Sequence, residues 1–127
     1  MTPRGELSIE RAALPENVAP MRHAVSSFLM ALGVTDTVRL DVVTALGEAV
    51  ANVIEHAYSS ECRGHVKVIV RLEEDATVTV AVIDAGKFVV RKKRPDRGFG
   101  LRIIRAVAHA FELDTQAGTT VNMRFRV

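Results

Sequence analysis

The chain has 127 residues and a formal net charge of +2, with 48% hydrophobic and 25% charged residues. That is the size and balance of one globular domain, and it excludes a disordered chain, a strongly basic nucleic-acid binder and a bilayer span, because no apolar run approaches the roughly 20 residues a span requires. One cysteine, Cys62, in a polar stretch, excludes an internal disulfide and a Cys-rich zinc site.

In chain order, Met1-Thr-Pro-Arg-Gly-Glu lacks the apolar core of a secretory signal, so a cytoplasmic protein is expected. Leu7, Ile9 and Arg11 to Leu14 predict a short first strand, and Pro15-Glu16-Asn17 turns the chain into a helix. Val18, Met21, Val25, Phe28, Leu29 and Leu32 recur at helical spacing until Gly33 stops them. Thr35 or Asp36 caps a second helix, expected from about Asp41 to Tyr58. On it Val42, Leu46, Ala49, Val50, Val53 and Ala57 form an apolar stripe, and Asp41, Glu48, Asn52 and Glu55 a polar one. That polar stripe holds three carboxylates and an amide with no Lys or Arg, a composition suited to a cation or to an ordinary solvated face.

After a polar loop, Ser59 to Gly64, the period changes to two. Val66, Val68, Val70 and Leu72 alternate with Lys67 and Arg71, Glu73-Glu-Asp75 turns, and Thr77 to Ile83 returns as the second strand of a hairpin. That strand runs into Asp84-Ala-Gly86, a carboxylate and a flexible glycine at a strand end. Phe88 to Arg97 is polar, with the basic run Arg91-Lys-Lys-Arg94. Gly98-Phe-Gly100-Leu101 then opens a helix whose apolar positions include Leu101, Ile104, Val107, Ala108 and Phe111. Glycines at a helix start leave backbone N–H groups uncovered at the positive end of the dipole, which suits an anion. Glu112 to Thr115 begins another strand, Gln116-Ala-Gly118 turns, and Val121, Met123, Phe125 and Val127 alternate inward in the last one. The expected fold is α+β, a mixed, mainly antiparallel sheet covered on one face by helices, in a single domain over residues 1–127.

Four polar features thus fall at helix or strand ends: Glu48 with Asn52, Asp84 with Gly86, Gly98 with Gly100, and Gly118-Thr119-Thr120. Their chemistries complement one another. An Asn oxygen can complete the shell of Mg²⁺, which takes few protein ligands when phosphates supply the rest. A glycine-opened helix can hold those phosphates, Asp84 can accept from an exocyclic amine such as adenine's, and Glu48 can take a proton from an attacking hydroxyl.

That order of features resembles the GHKL ATPases, which include gyrase, the mismatch-repair ATPases and sensor histidine kinases. Within them, Glu-Ala-x-x-Asn-x-x-x-His-Ala-Tyr at Glu48 to Tyr58 resembles the bacterial anti-sigma factor serine kinases of sporulation and stress response. The resemblance spans nearly the whole chain and implies a histidine-kinase-like ATPase fold using ATP/ADP and Mg²⁺. By it Asn52 binds Mg²⁺, Glu48 is the catalytic base for serine phosphorylation, Asp84 reads the adenine amine and Gly86 lines the base pocket. Gly98, Gly100 and Leu101 border the phosphates and the lid end, and Thr119 or Thr120 lies beside Asp84. Implied partners are a sigma factor and an anti-anti-sigma antagonist, with no direct nucleic acid and no membrane. Pairing of two copies is implied through the N-terminal strand and helix, near Leu7 and Ile9.

The chain departs from the family pattern at Phe88, where a further glycine is common, and in a short stretch before Gly98, the family's ATP lid. An alternative of the same fold is therefore a non-catalytic, nucleotide-sensing interaction module. A detached histidine-kinase catalytic domain is disfavoured because no acceptor-histidine segment precedes Leu7. His56 and Tyr58 are expected to serve structure, and His23, His65 and His109 have no metal-type spacing.

Overall fold

In the computed structural model the described residues are 3–56, 64–84, 99–114 and 120–126. Strand β1 (Gly5–Ala12) leads through a 3₁₀ turn (Pro15–Asn17) into α1 (Val18–Ala31) and α2 (Asp36–His56). The hairpin β2 (His65–Leu72) and β3 (Thr77–Asp84) follows, then α3 (Phe99–Val107), β4 (Ala110–Asp114) and β5 (Thr120–Arg126). The strands form one sheet in the order β1-β2-β3-β5-β4, and all four pairings are antiparallel. The α+β expectation holds, without any parallel pair among the described strands.

Alternation decides which sheet face is covered. Val66, Val68, Val70 and Leu72 on β2, Val78, Val80 and Val82 on β3, and Val121, Met123 and Phe125 on β5 are all buried. They meet the helices through Met21, Val25 and Leu29 of α1, the stripe Val42, Ala45, Leu46, Ala49, Val50 and Val53 of α2, and Ile104 of α3. The opposite rows carry mostly charged and small polar groups, with Ile69, Ala81 and Ile83 half-buried among them, and are paired in part across strands: Arg71 Nε lies 3.5 Å from Glu6, and His65 Nδ1 3.6 Å from Glu10. The sheet therefore has one dry face and one wet face.

The joints have local causes. Gly33 stands at φ +85, a left-handed backbone that ends α1 at little steric cost. Arg39 then ties the α1–α2 connection: its guanidinium donates to the Val34 carbonyl at 2.7 Å and to the Asp36 carboxylate. This lets α2 begin at Asp36, a full turn before the apolar stripe that signalled it. In the β2–β3 turn the Glu73 and Ala76 N–H groups donate to the carbonyls of Thr77 and Glu73. The Thr77 N–H donates to Asp75 at 3.0 Å and holds that carboxyl below its ordinary range. Asp75 therefore supports the turn above the ordinary carboxylate pKa, and its contribution fades as pH falls through the lowered value.

Ala76 in this turn adopts φ +71, a conformation that disfavours a Cβ. Ala76→Gly is expected to raise stability by about 0.5–1 kcal/mol, measured as a higher urea midpoint at unchanged m-value. An unchanged or lower midpoint would rule out strain at this position.

One expected boundary moves. Phe111 does not continue α3: the helix ends at Val107, and Phe111 lies on β4 opposite Met123. His109 makes the corner, its backbone N–H donating to the Arg124 carbonyl at 2.8 Å while its Nδ1 accepts from the Arg126 N–H at 3.1 Å. Strand pairing with β5 outweighs the helical spacing of Phe111.

Candidate functional site

Helix α2 organises the site. Its apolar stripe lies on the sheet, and one flank packs on α1, where a Cβ at Gly47 would stand 3.1 Å from Cδ of Arg22. The other flank carries Asp41, Glu48 and Asn52, all half-buried. Because α1 occupies the Gly47 side and α3 also packs on α2, this polar flank faces the α3 side. Glu48 and Asn52 are one turn apart, and neither side chain is engaged by a hydrogen bond or ion pair among the described residues. Their polar atoms are open to solvent rather than buried and unsatisfied, so the pair is accessible to a ligand. An uncharged amide oxygen beside a carboxylate is a donor set that suits a hard divalent cation still holding waters and phosphates.

The sheet supplies the second part. Val66 pairs with Asp84, Ile83 with Thr120, and Thr120 with Asp114, so the end of β3 and the start of β5 are neighbours at one end of the sheet. Alternation assigns Thr120 to one face of the sheet. Thr120 shares a row with Ile83 and Lys67, opposite the buried row of Val121 and Val82, and therefore belongs to the face turned away from the helices. Of the two expected threonines only Thr120 lies within the described residues, and it sits on the outward row.

The third part is the start of α3. The helix begins at Phe99 and takes Gly100 and Leu101 into its first turn, with Ile104 one turn on fully buried. Gly86, Gly98, Thr119 and Tyr58, along with the basic run Arg91 to Arg94 and Cys62, lie outside the described residues. Leu7 and Ile9 of the expected pairing strand face the core, Ile9 being buried, so the outward row of β1 offers Glu6, Ser8 and Glu10 instead.

A different surface was not singled out from the sequence. Ala19, Arg22, His23 and Ser26 of α1 and Val43 of α2 line a groove of about 210 Å³ between the helices. The signal for it is α1 itself, whose only ionisable side chains are Arg22 and His23.

Residues 11–125 match the family described as Histidine kinase-like ATPase domain. The chain is 34% identical over 125 residues to an anti-sigma F factor of Clostridium beijerinckii, covering 89% of this chain and 87% of that protein. It is 28% identical over 134 residues to the anti-sigma F factor of Bacillus subtilis, covering 94% and 91%. A solved Mycobacterium tuberculosis protein described by its RsbU and RsbW domains superposes with a TM-score of 0.77 at 25% identity. That match covers 98% of this chain and 33% of the other, so the chain spans about a third of that protein. The histidine kinase domain of a blue-light activated kinase from Erythrobacter litoralis, at 18% identity and TM-score 0.62, shares the fold; it covers 87% of this chain and 59% of that one.

Proposed function

The chain belongs to the histidine kinase-like ATPase domain family, and from that premise we propose that it is an ATP-dependent, Mg²⁺-requiring protein serine kinase that also acts as an anti-sigma factor. In this reading it holds a sigma factor in one state, phosphorylates an anti-anti-sigma antagonist in another, and pairs with a second copy of itself. The observation that carries the reading is the unengaged pair of Glu48 and Asn52, half-buried on the α3 side of α2. Anti-sigma F factors are similar to this chain over nearly its whole length, which supports the choice of partners.

The residues divide the work. Asn52 holds the metal through its amide oxygen, and Asp84 with Thr119 and Gly86 receives the adenine. Gly98, Gly100 and the first turn of α3 present backbone N–H groups to the phosphates, with Leu101 at the lid end. Magnesium, when bound, neutralises charge on the phosphoryl oxygens. Glu48 accepts the proton of the antagonist's serine hydroxyl as its oxygen bonds to the γ-phosphorus and the bond to the ADP oxygen breaks. Among the described residues no helix is long and apolar enough to cross a membrane.

Titration with a fluorescent ATP analogue, with and without Mg²⁺, tests the reading. Saturable binding strengthened by Mg²⁺ is expected. Absence of binding would remove the kinase and leave the alternative, an interaction module that captures its partner by protein contacts alone.

A further inference from the structure

The sheet face turned away from the helices carries an ordered charge pattern. Its outward row on β2 holds Lys67 and Arg71, that on β5 holds Arg124 and Arg126, and β3 between them presents only Thr77, Thr79, Ala81 and Ile83. Among the described residues no carboxylate stands on these three rows. The outward acids are on the edge strands instead, Glu6 and Glu10 on β1 and Glu112 on β4. Across the strands the face therefore runs acidic, basic, neutral, basic, acidic.

β3 also carries the shortest side chains of the three. It forms the floor of a trough whose walls, the rows of β2 and β5, stand two strand spacings apart, about 9–10 Å. That floor is apolar in part: Ile69 pairs with Ala81, Ile83 follows along β3, and all three are half-buried. A face given wholly to water carries polar residues at such central positions. The walls have charge to offer. Arg71 lies 3.5 Å from Glu6 in a pair open to solvent and worth little, and Lys67 stands opposite Glu10. Arg126 and Arg124 stand opposite Thr77 and Thr79 of β3, with no carboxylate across the strand. At the hairpin end the trough closes on acids: the Thr79 hydroxyl donates to Glu73 at 3.0 Å, and Asp75 feels the charge of Arg124.

We infer that this trough docks an α-helix of a partner protein, its apolar side on Ile69, Ala81 and Ile83 and its two flanks lined with carboxylates that meet Lys67 and Arg71 on one wall and Arg124 and Arg126 on the other. A helix about 10–12 Å across matches walls at that separation, and an apolar stripe laid in a groove is a recurrent mode of recognition. The rest of the face narrows the occupant. A broad polyanion, such as a nucleic-acid duplex or an anionic membrane, would also overlie Glu6, Glu10 and Glu112. A single nucleic-acid strand needs rings to stack on, and the outward rows hold no Phe, Tyr or Trp. The trough lies on the reverse of the sheet from α2, so it is independent of the roles proposed for Glu48 and Asn52.

Fluorescence anisotropy of labelled model helices, titrated with the full chain, tests it. One probe is a lactam-stapled peptide with a leucine stripe flanked on both sides by glutamate; the other has lysine at every glutamate position. The glutamate helix is expected to bind saturably and more weakly as salt rises, and the lysine helix not to bind. Arg124→Glu combined with Arg126→Glu should weaken the glutamate helix about tenfold or more, because two attractions become repulsions. Ala81→Glu, which sets a carboxylate on the floor, should abolish binding, whereas Glu112→Gln, outside the trough, should leave it unchanged. A thermal melt and the ATP-analogue titration on the same variants separate misfolding, and failure of the nucleotide reading, from failure of the trough; the exposed arginine pair decides the matter even if Ala81→Glu does not fold. A glutamate helix that never saturates would overturn the proposal, as would equal binding of both helices or binding that survives the double arginine reversal. Tighter binding of an oligothymidine than of the glutamate helix would also overturn it, by making the face a nucleic-acid surface.

Discussion

Replacing Glu48 by glutamine is expected to lower serine phosphoryl transfer by about 10²–10⁴-fold, the range that a positioned general base supplies. The substitution keeps shape and hydrogen-bonding capacity and removes only the ability to take a proton. Glu48 is half-buried and no ion pair or hydrogen bond holds it among the described residues, so stability should change by no more than about 0.5 kcal/mol. Affinity for ATP and capture of the sigma factor should both persist, because neither uses the lost proton acceptor. Single-turnover transfer of labelled phosphate to a cognate antagonist, alongside calorimetric ATP binding, measures the separation. Transfer at the wild-type rate would show that another group accepts the serine proton; loss of binding together with transfer would make Glu48 a pocket residue instead.

Asn52→Ala tests the neighbouring position with a different readout. An alanine there removes the proposed metal ligand and leaves the adenine contacts intact. Nucleotide affinity in Mg²⁺ should fall at least as far as the roughly 10–100-fold that loss of a residue supporting a metal ligand costs. In EDTA, wild type and variant should bind nucleotide alike. The comparison is clean because the amide has no partner within the described protein, so its removal orphans no buried group. If Mg²⁺ strengthened binding equally in both proteins, the metal would be held elsewhere.

Much of this arrangement was legible in the sequence where a single periodicity governs a segment. The alternation of Val66 to Leu72 and of Val121 to Phe125 predicts their burial, and the spacing of Val42, Leu46, Ala49, Val50 and Val53 predicts the buried stripe of α2. The opposite flank follows from the same spacing, which is why Glu48 and Asn52 could be placed together before any contact was known. Three features depend on neighbours that no local pattern contains. Phe111 fits a helical repeat, but pairing of β4 with β5 assigns it to a strand. Thr120 is a pocket candidate by composition, and only the register against β3 shows that it sits on the outward row. The groove between α1 and α2 is a property of two helices, and α1 by itself shows only the isolated pair Arg22 and His23.

The strand order β1-β2-β3-β5-β4 has a consequence for how the chain matures as it is made. β5, the last described strand in chain order, is an interior one, bonded to β3 on one side and β4 on the other. Until it emerges from the ribosome, β3 has one bare edge, β4 has no neighbour at all, and the apolar row meant for Val121, Met123 and Phe125 is open to water. A nascent chain halted before Thr120 would expose sticky surface to chaperones and to other chains. Competence in this protein should therefore arrive late and all at once.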